Sequence, residues 1–364
     1  YKNLTSDAEL ELYRLMTEKI CTISAKTEQS GEYAISSIEL NGAVLDAHTI
    51  KKVLKAFQYD HPEVFWISNT INFIKRRNST IIKFRSVISP TECNEIIKNL
   101  NSEISEIVRN VPDGLSEYQR ELYMHDLLIK RCKYSKNAGL KKSGWRKFTI
   151  VGAFLDGEAV CEGFSKSMQI LLSGVGIESM LITGHKKEEP HMWNLVKIDG
   201  KWYHVDVTWD SSKEISRYNY FNLDDSSIKF DHLIEKELSA ISPSKLKDDR
   251  YNFSLPKCTS MEENYIYKNG LRFDSMDKAT DNHMMAGIKK IISEKGKYLY
   301  IIIGPKLDYS STIKKLFTQN PYKFFRYLNE LTRSRSIKNN INPQKIYFTE
   351  NRGINAVTVE LNYV

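Results

Sequence analysis

The chain has 364 residues, 41% of them hydrophobic and 27% charged, with 53 Lys and Arg against 45 Asp and Glu for a formal net charge of +8. That length holds two or three domains with ordinary cores, and no apolar run approaches the ~20 residues that a membrane span needs. The basic residues fall in short clusters, Lys75-Arg76-Arg77, Lys141-Lys142, Lys186-Lys187 and Arg333-Ser334-Arg335, none interleaved with aromatics as single-strand platforms are, so no nucleic-acid partner is expected.

Tyr1, with no starting Met and no leader pattern, reads as the start of a trimmed or mature chain. Five cysteines, Cys21, Cys93, Cys132, Cys161 and Cys258, form no CxxC pair, which argues against a zinc site or a disulfide framework and leaves four reduced, buried thiols besides Cys161. Residues 1–112 predict helices near Asp7–Cys21, His48–Gln58 and Thr91–Val111 around two strands, Val64–Ile74 and Thr80–Val87. Ser89-Pro90-Thr91-Glu92 is a capping-box start with proline at the first helical position. Asp60-His61-Pro62-Glu63-Val64-Phe65-Trp66 reads as a buried aromatic block.

The next domain starts after Pro112-Asp113-Gly114 and runs over 113–256. Within it Cys161 follows a Gly157-containing turn and opens a run, Phe164, Met168, Ile170, Leu171, Leu172, Val175, spaced for a core-packed helix stopped near Gly174 and Gly176. A thiol at a helix N-terminus faces unpaired backbone N–H groups and the positive end of the dipole, which favour thiolate over thiol.

His191–Ile198 and Lys201–Val207 read as two strands joined by Asp199-Gly200, a strong signal for a two-residue hairpin turn. That register sets Trp193 opposite Asp206 and His191 opposite Thr208, so His191, Trp193, His204, Asp206 and Thr208 share one face. Asp206 is then the diagonal neighbour of His191, at roughly 7–8 Å between backbones, whereas His185 lies outside the hairpin. A thiol, an imidazole and a carboxylate so placed are the nucleophile, base and orienter that acyl transfer requires. Residues 257–364 predict an α/β unit with strands Tyr265–Tyr267, Tyr298–Ile303, Lys345–Phe348 and Ala356–Leu361 and helices near Met276–Ser293 and Ser311–Arg333. Gly304-Pro305-Lys306 lacks the spacing of a phosphate loop.

Ala159-Val160-Cys161-Glu162-Gly163-Phe164, His191-Met192-Trp193-Asn194, Asp199 to Asp210 and the trailing Tyr220-Phe221-Asn222-Leu223 come in the order of known blocks. With Tyr123-Met124-His125-Asp126 upstream, the segment from about Tyr118 to about His232 resembles the transglutaminase-like superfamily of papain-related cysteine enzymes, in its bacterial branch of secreted or surface proteins. The resemblance implies an α+β fold: a papain-like core with a helix-borne Cys and an antiparallel sheet carrying His and Asp, flanked by N-terminal and C-terminal α/β domains. It implies Cys161 as nucleophile, His191 as general base and Asp206 as orienter, with Trp193, Glu162 and Trp209 as substrate or oxyanion contacts. Residues 148–157 offer no match for the upstream side-chain donor of papain-like enzymes, which leaves the Cys161 backbone N–H as oxyanion donor. The implied activity is thioester chemistry on peptide or glutamine-type amides, without cofactor or metal, most simply a cysteine peptidase acting on surface or cell-wall peptides. A cross-linking transglutaminase is the alternative acceptor choice. A non-catalytic wall-binding module is the alternative of another class, and it predicts loss of one of the three residues.

Overall fold

Ser6 opens helix α1 (Asp7–Lys19) as half of a capping box: its hydroxyl accepts from the Glu9 N–H, and the Glu9 carboxylate accepts from the Ser6 N–H. In this computed structural model residues 2–27, 30–68, 71–136, 144–186, 188–234, 237–239, 250–252, 254–334, 337, 341–342 and 345–363 are described. The basic residues Lys141, Lys142, Lys187 and Arg335 of the sequence clusters lie outside them.

Strands β1 (Ile23–Thr27), β2 (Tyr33–Ile35) and β3 (Ile38–Asn41) follow α1, then α2 (Ala47–Asp60), capped by the Asp46 carboxylate on the Thr49 N–H. After β4 (Asn72–Lys75), β5 (Ser79–Lys83) and β6 (Arg85–Ser86) comes α3 (Pro90–Arg109), whose Ser89 cap and first-turn proline are as expected. Two small antiparallel sheets, β1-β2-β6 and β3-β5-β4, complete this stretch. The expected strand Val64–Ile74 is pared back to β4. Phe65 and Trp66 are consecutive and both buried, their rings meeting edge-on at 5.1 Å, and they pack as the anticipated aromatic block. The indole N–H of Trp66 donates to the Ile20 carbonyl, and Phe65 stacks on Trp145.

Helix α4 (Glu117–Arg131) leads to β7 (Lys133–Tyr134), a 3-10 turn at Gly144–Phe148, a π-helical turn at Gly152–Asp156, β8 (Glu158–Ala159) and α5 (Cys161–Gly174). Next come β9 (Ser179–Lys186), β10 (Glu189–Ile198), β11 (Lys201–Val205), the short helices α6 (Val207–Asp210) and α7 (Asp225–Ile228), and strands β12 (His232–Ile234), β13 (Glu237–Ser239) and β14 (Arg250–Asn252). Asp199 and Gly200 take φ of 47° and 79°, the pair of left-handed conformations that an Asp-Gly hairpin turn requires.

The remainder is α8 (Tyr265–Asn269), β15 (Leu271–Phe273), α9 (Lys278–Ser293), β16 (Tyr298–Ile303), α10 (Tyr309–Ile313), α11 (Lys323–Arg333), β17 (Tyr347–Asn351) and β18 (Ala356–Glu360). Its sheet runs β15-β16-β18-β17 over a core that includes Met284, Ile288, Ile292, Ile301, Phe324 and Val359. Tyr265–Tyr267 is helical rather than a strand, because the Asn264 side chain accepts from the Tyr267 N–H and caps a turn there. Antiparallel pairing dominates, and the fold is α+β. By contacts the chain divides into two units, residues 1–200 with 233–257 and residues 201–232 with 258–364. Among the described residues no helix is long and apolar enough to cross a membrane.

Candidate active site

Cys161 is the first residue of α5 and is half-buried, while Phe164, Met168, Leu171 and Leu172 on the same helix are fully buried. Val160 at the cap is extended, at φ −97° and ψ 179°, and no side chain caps the helix start. The first-turn N–H groups therefore stand at the thiol without a carboxylate or hydroxyl of the cap competing for them. Gly163 is required by packing: a Cβ there would sit 2.5 Å from the Lys147 carbonyl oxygen and 2.9 Å from the Ala159 Cβ. Beside the thiol, the Glu162 carboxylate takes the Lys166 ammonium at 2.7 Å. Burial pushes the Glu162 carboxyl up, but Lys166 and Lys55 together outweigh it and hold the group below the usual carboxylate range.

His191 lies on β10, antiparallel to β9 and directly opposite Gly184. A Cβ at 184 would come 2.0 Å from the Leu233 carbonyl oxygen and 2.7 Å from the Trp193 ring, so only glycine lets β12 and the indole close over this strand. Trp193 stacks on His191, ring centroids 5.8 Å apart and planes 17° from parallel, which keeps the two side chains together as expected. Helix and strand are tied next to the histidine. The Ser165 hydroxyl lies 2.8 Å from the Cys161 carbonyl and 2.9 Å from the Met192 carbonyl, and the Asn194 amide donates to the Ser165 carbonyl at 3.0 Å. His185, beyond the Asp-Gly hairpin, is nonetheless a sheet residue: it lies on β9, paired with Pro190 of β10.

Asp206 sits where β11 has ended. Its Oδ1 accepts from the Trp209 N–H at 3.2 Å and starts α6, so Asp206 is a helix cap and Thr208 a helical residue, not members of a longer strand. The expected strand register beyond Val205 therefore does not hold. The other carboxylate oxygen, Oδ2, lies 3.0 Å from Nε2 of His232, and both side chains are wholly buried. His232 Nδ1 is 2.6 Å from Asp231 Oδ1, and the Tyr220 hydroxyl donates to Asp231 Oδ2 at 2.6 Å. Burial first, then Asp231, raise the Tyr220 phenol far above its ordinary range. Sequence reasoning misses His232: it is 26 residues from Asp206 along the chain, and no local pattern marks it.

His204, which the hairpin register places on the face of His191 and Asp206, is paired with Asp225, Nε2 to Oδ1 at 2.9 Å. Burial pushes its imidazole down toward the neutral form, and the hydrogen bond from it holds Asp225 below the usual carboxylate range. With Cys258 these two offer a nitrogen, an oxygen and a sulfur within 4.8 Å of one another, donor types that a borderline-soft divalent ion accepts. Asp210 is buried and accepts from the Tyr220 N–H at 2.9 Å, which makes it a structural residue. Trp193 is fully buried with its indole against His191, whereas Trp209 on α6 is 36% exposed. All five cysteines are free thiols, and Cys21 is exposed where a buried thiol was expected.

Residues 105–207, which contain Cys161, His191 and Asp206, match the family model described as the transglutaminase-like superfamily. Among solved structures the chain is similar to one described as a TGase, at 15% identity and a TM-score of 0.27, covering 47% of this chain and 50% of that one. It is similar also to a candidate cysteine protease of Cytophaga hutchinsonii, at 12% identity and 0.25, over 51% and 69% of the two chains. A third is the periplasmic domain of TgpA from Pseudomonas aeruginosa, at 10% identity and 0.20, over 52% and 77%. The chain spans about half the length of the first of these. No curated protein matches it. The segment 105–207, in which a cysteine opens a buried helix tied to a histidine-bearing strand, thus carries the match to the transglutaminase-like superfamily.

Proposed function

We propose that the protein is a cysteine-dependent acyl-transfer enzyme that hydrolyses peptide or glutamine-type amides through a thioester on Cys161, with His191 as general acid and base and Asp206 as its orienter. The observation that carries the reading is the Ser165 hydrogen bonding between the first turn of α5 and the strand bearing His191, which ties the thiol's helix to the imidazole's strand. In the proposed step the Cys161 thiolate attacks the amide carbonyl and a C–S bond forms. The oxyanion is met by the backbone N–H of Cys161 at the helix start. His191 gives its proton to the departing nitrogen as the C–N bond breaks, leaving a thioester. Water, losing its proton to His191, attacks the thioester and the C–S bond breaks.

The test uses p-nitrophenyl acetate, which acylates a reactive thiol with release of nitrophenolate. A burst of one equivalent per chain, with the acetyl group mapped to Cys161 and abolished in Cys161→Ala, is expected. A linear release unchanged in Cys161→Ala ends the proposal. The acceptor is read by offering a fluorogenic glutaminyl-peptide amide with and without a primary amine: free acid is expected as the main product, and predominant amine incorporation reassigns the enzyme to cross-linking.

A further inference from the structure

Asp206 is a wholly buried carboxylate, and a buried charge is tolerated only where partners replace the lost water. The Trp209 N–H serves one oxygen and His232 the other. The same imidazole faces a second carboxylate, Asp231, with its other nitrogen. An ionised carboxylate only accepts hydrogen bonds, so two of them on one ring call for a donor at both nitrogens, met by an imidazolium or by a proton residing on one of the acids. Asp231 is itself fixed as an acceptor by the Tyr220 hydroxyl, and the Tyr220 ring meets His232 edge-on at 5.3 Å. The Tyr220 backbone closes the loop, accepting from the Asp206 N–H at 3.0 Å and donating to Asp210. The chain Tyr220–Asp231–His232–Asp206 thus holds the Asp206 carboxylate in one orientation.

We propose that His232 is a positioning residue for the acyl-transfer chemistry, acting through Asp206 and touching neither substrate nor thiol. The proposal rests on the reading of Asp206 as the orienter of His191. A carboxylate locked by His232 presents one fixed oxygen, so the tautomer and orientation of the base no longer depend on a freely rotating acid.

The experiment is a double-mutant cycle on the full chain with His232→Ala, Asp206→Asn and the His232→Ala/Asp206→Asn pair, with His232→Gln as the conservative rescue, measuring burst and steady-state turnover of p-nitrophenyl acetate and thermal melting. His232→Ala is expected to lower kcat about 10- to 100-fold with KM little changed, the range typical when the outer hydrogen-bond partner of a ligating side chain is removed. His232→Gln, which keeps a donor toward Asp206, should recover most of that loss. In the Asp206→Asn background the His232→Ala change should have no further effect on kcat, because the partner through which it acts is gone. Equal fold-losses in both backgrounds, or unchanged kcat in a folded His232→Ala, overturn the role. If His232→Ala does not fold, His232→Asn, whose amide reaches the Asp231 side but is too short for Asp206, takes its place in the cycle. A wild-type chain without a Cys161 burst brings down the acyl-transfer reading and this role with it, whereas a normal burst with additive losses removes only His232.

Discussion

Burial pushes the Cys93 and Cys132 thiols up to about 12 and Cys258 higher still, and burial and then Glu63 raise Cys21 as well. Cys161 is the half-buried thiol at a helix start. Iodoacetamide at pH 6–7 should therefore modify Cys161 well before the other four, since an ordinary thiol is only a few per cent ionised there. Peptide mapping that shows equal modification at all five contradicts the assignment. His204→Ala is expected to lower the melting temperature while the nitrophenolate burst persists, because its buried imidazole serves Asp225. Loss of the burst in a folded His204→Ala would move the base role from His191 to His204. At this scale Cys161 and His191 are legible in the sequence because each is marked by its own neighbours, a helix start in one case and a strand before an Asp-Gly turn in the other. His232 is not, since its partner Asp206 is brought to it only by the tertiary fold.

The start of α5 depends on Gly163, whose missing Cβ leaves room for the Lys147 carbonyl. Gly163→Ala should cost roughly 1–3 kcal/mol in a denaturant melt, the usual penalty of overpacking against atoms that cannot move aside. A melt within experimental scatter of wild type would mean that the 3-10 turn before it gives way. Helix α1 carries a second measurable term. Burial pushes the Glu9 carboxyl up, but the Lys52 ammonium at 2.8 Å and the Thr5 and Ser6 N–H groups hold it below its ordinary 4.5. A lowered carboxyl contributes stability that is present above its unfolded value and is lost as the pH falls through the native one. Glu9→Gln should thus be less stable than wild type at pH 7, with the difference narrowing below the ordinary carboxyl value of 4.5; a gap that stays constant on acidification contradicts the linkage. The Asp-Gly turn and the capped helices are readable because a few adjacent residues determine them. The end of β11 is not, because Val205-Asp206-Val207-Thr208 has strand-like side chains, yet one cap hydrogen bond from the Trp209 N–H turns it into a helix.

For the molecule as a whole, five free thiols mean that no disulfide contributes to stability. The melting temperature should be the same with and without reductant; since a native disulfide is typically worth about 2–5 kcal/mol, a fall of more than ~5 °C on reduction would contradict the free-thiol assignment. The long apolar strand Tyr298–Ile303 and the amphipathic α9 make the C-terminal α/β character legible, while a short, largely exposed strand such as β1 carries too little periodicity to be seen. The packing around Gly163, Ser165, Gly184 and Asn194 also bears on how relatives are recognised. A carbonyl 2.5 Å from one missing Cβ and another 2.0 Å from the next exclude side chains whether or not the thiol is present. Through descent, a copy that had lost its cysteine would go on being selected for those glycines and for the Ser165–Asn194 contact simply to keep its shape. Such a copy would still be grouped with this chain by motif, so inheritance of the surrounding blocks tracks the architecture, and the presence of sulfur at position 161 has to be checked separately before any relative is credited with chemistry.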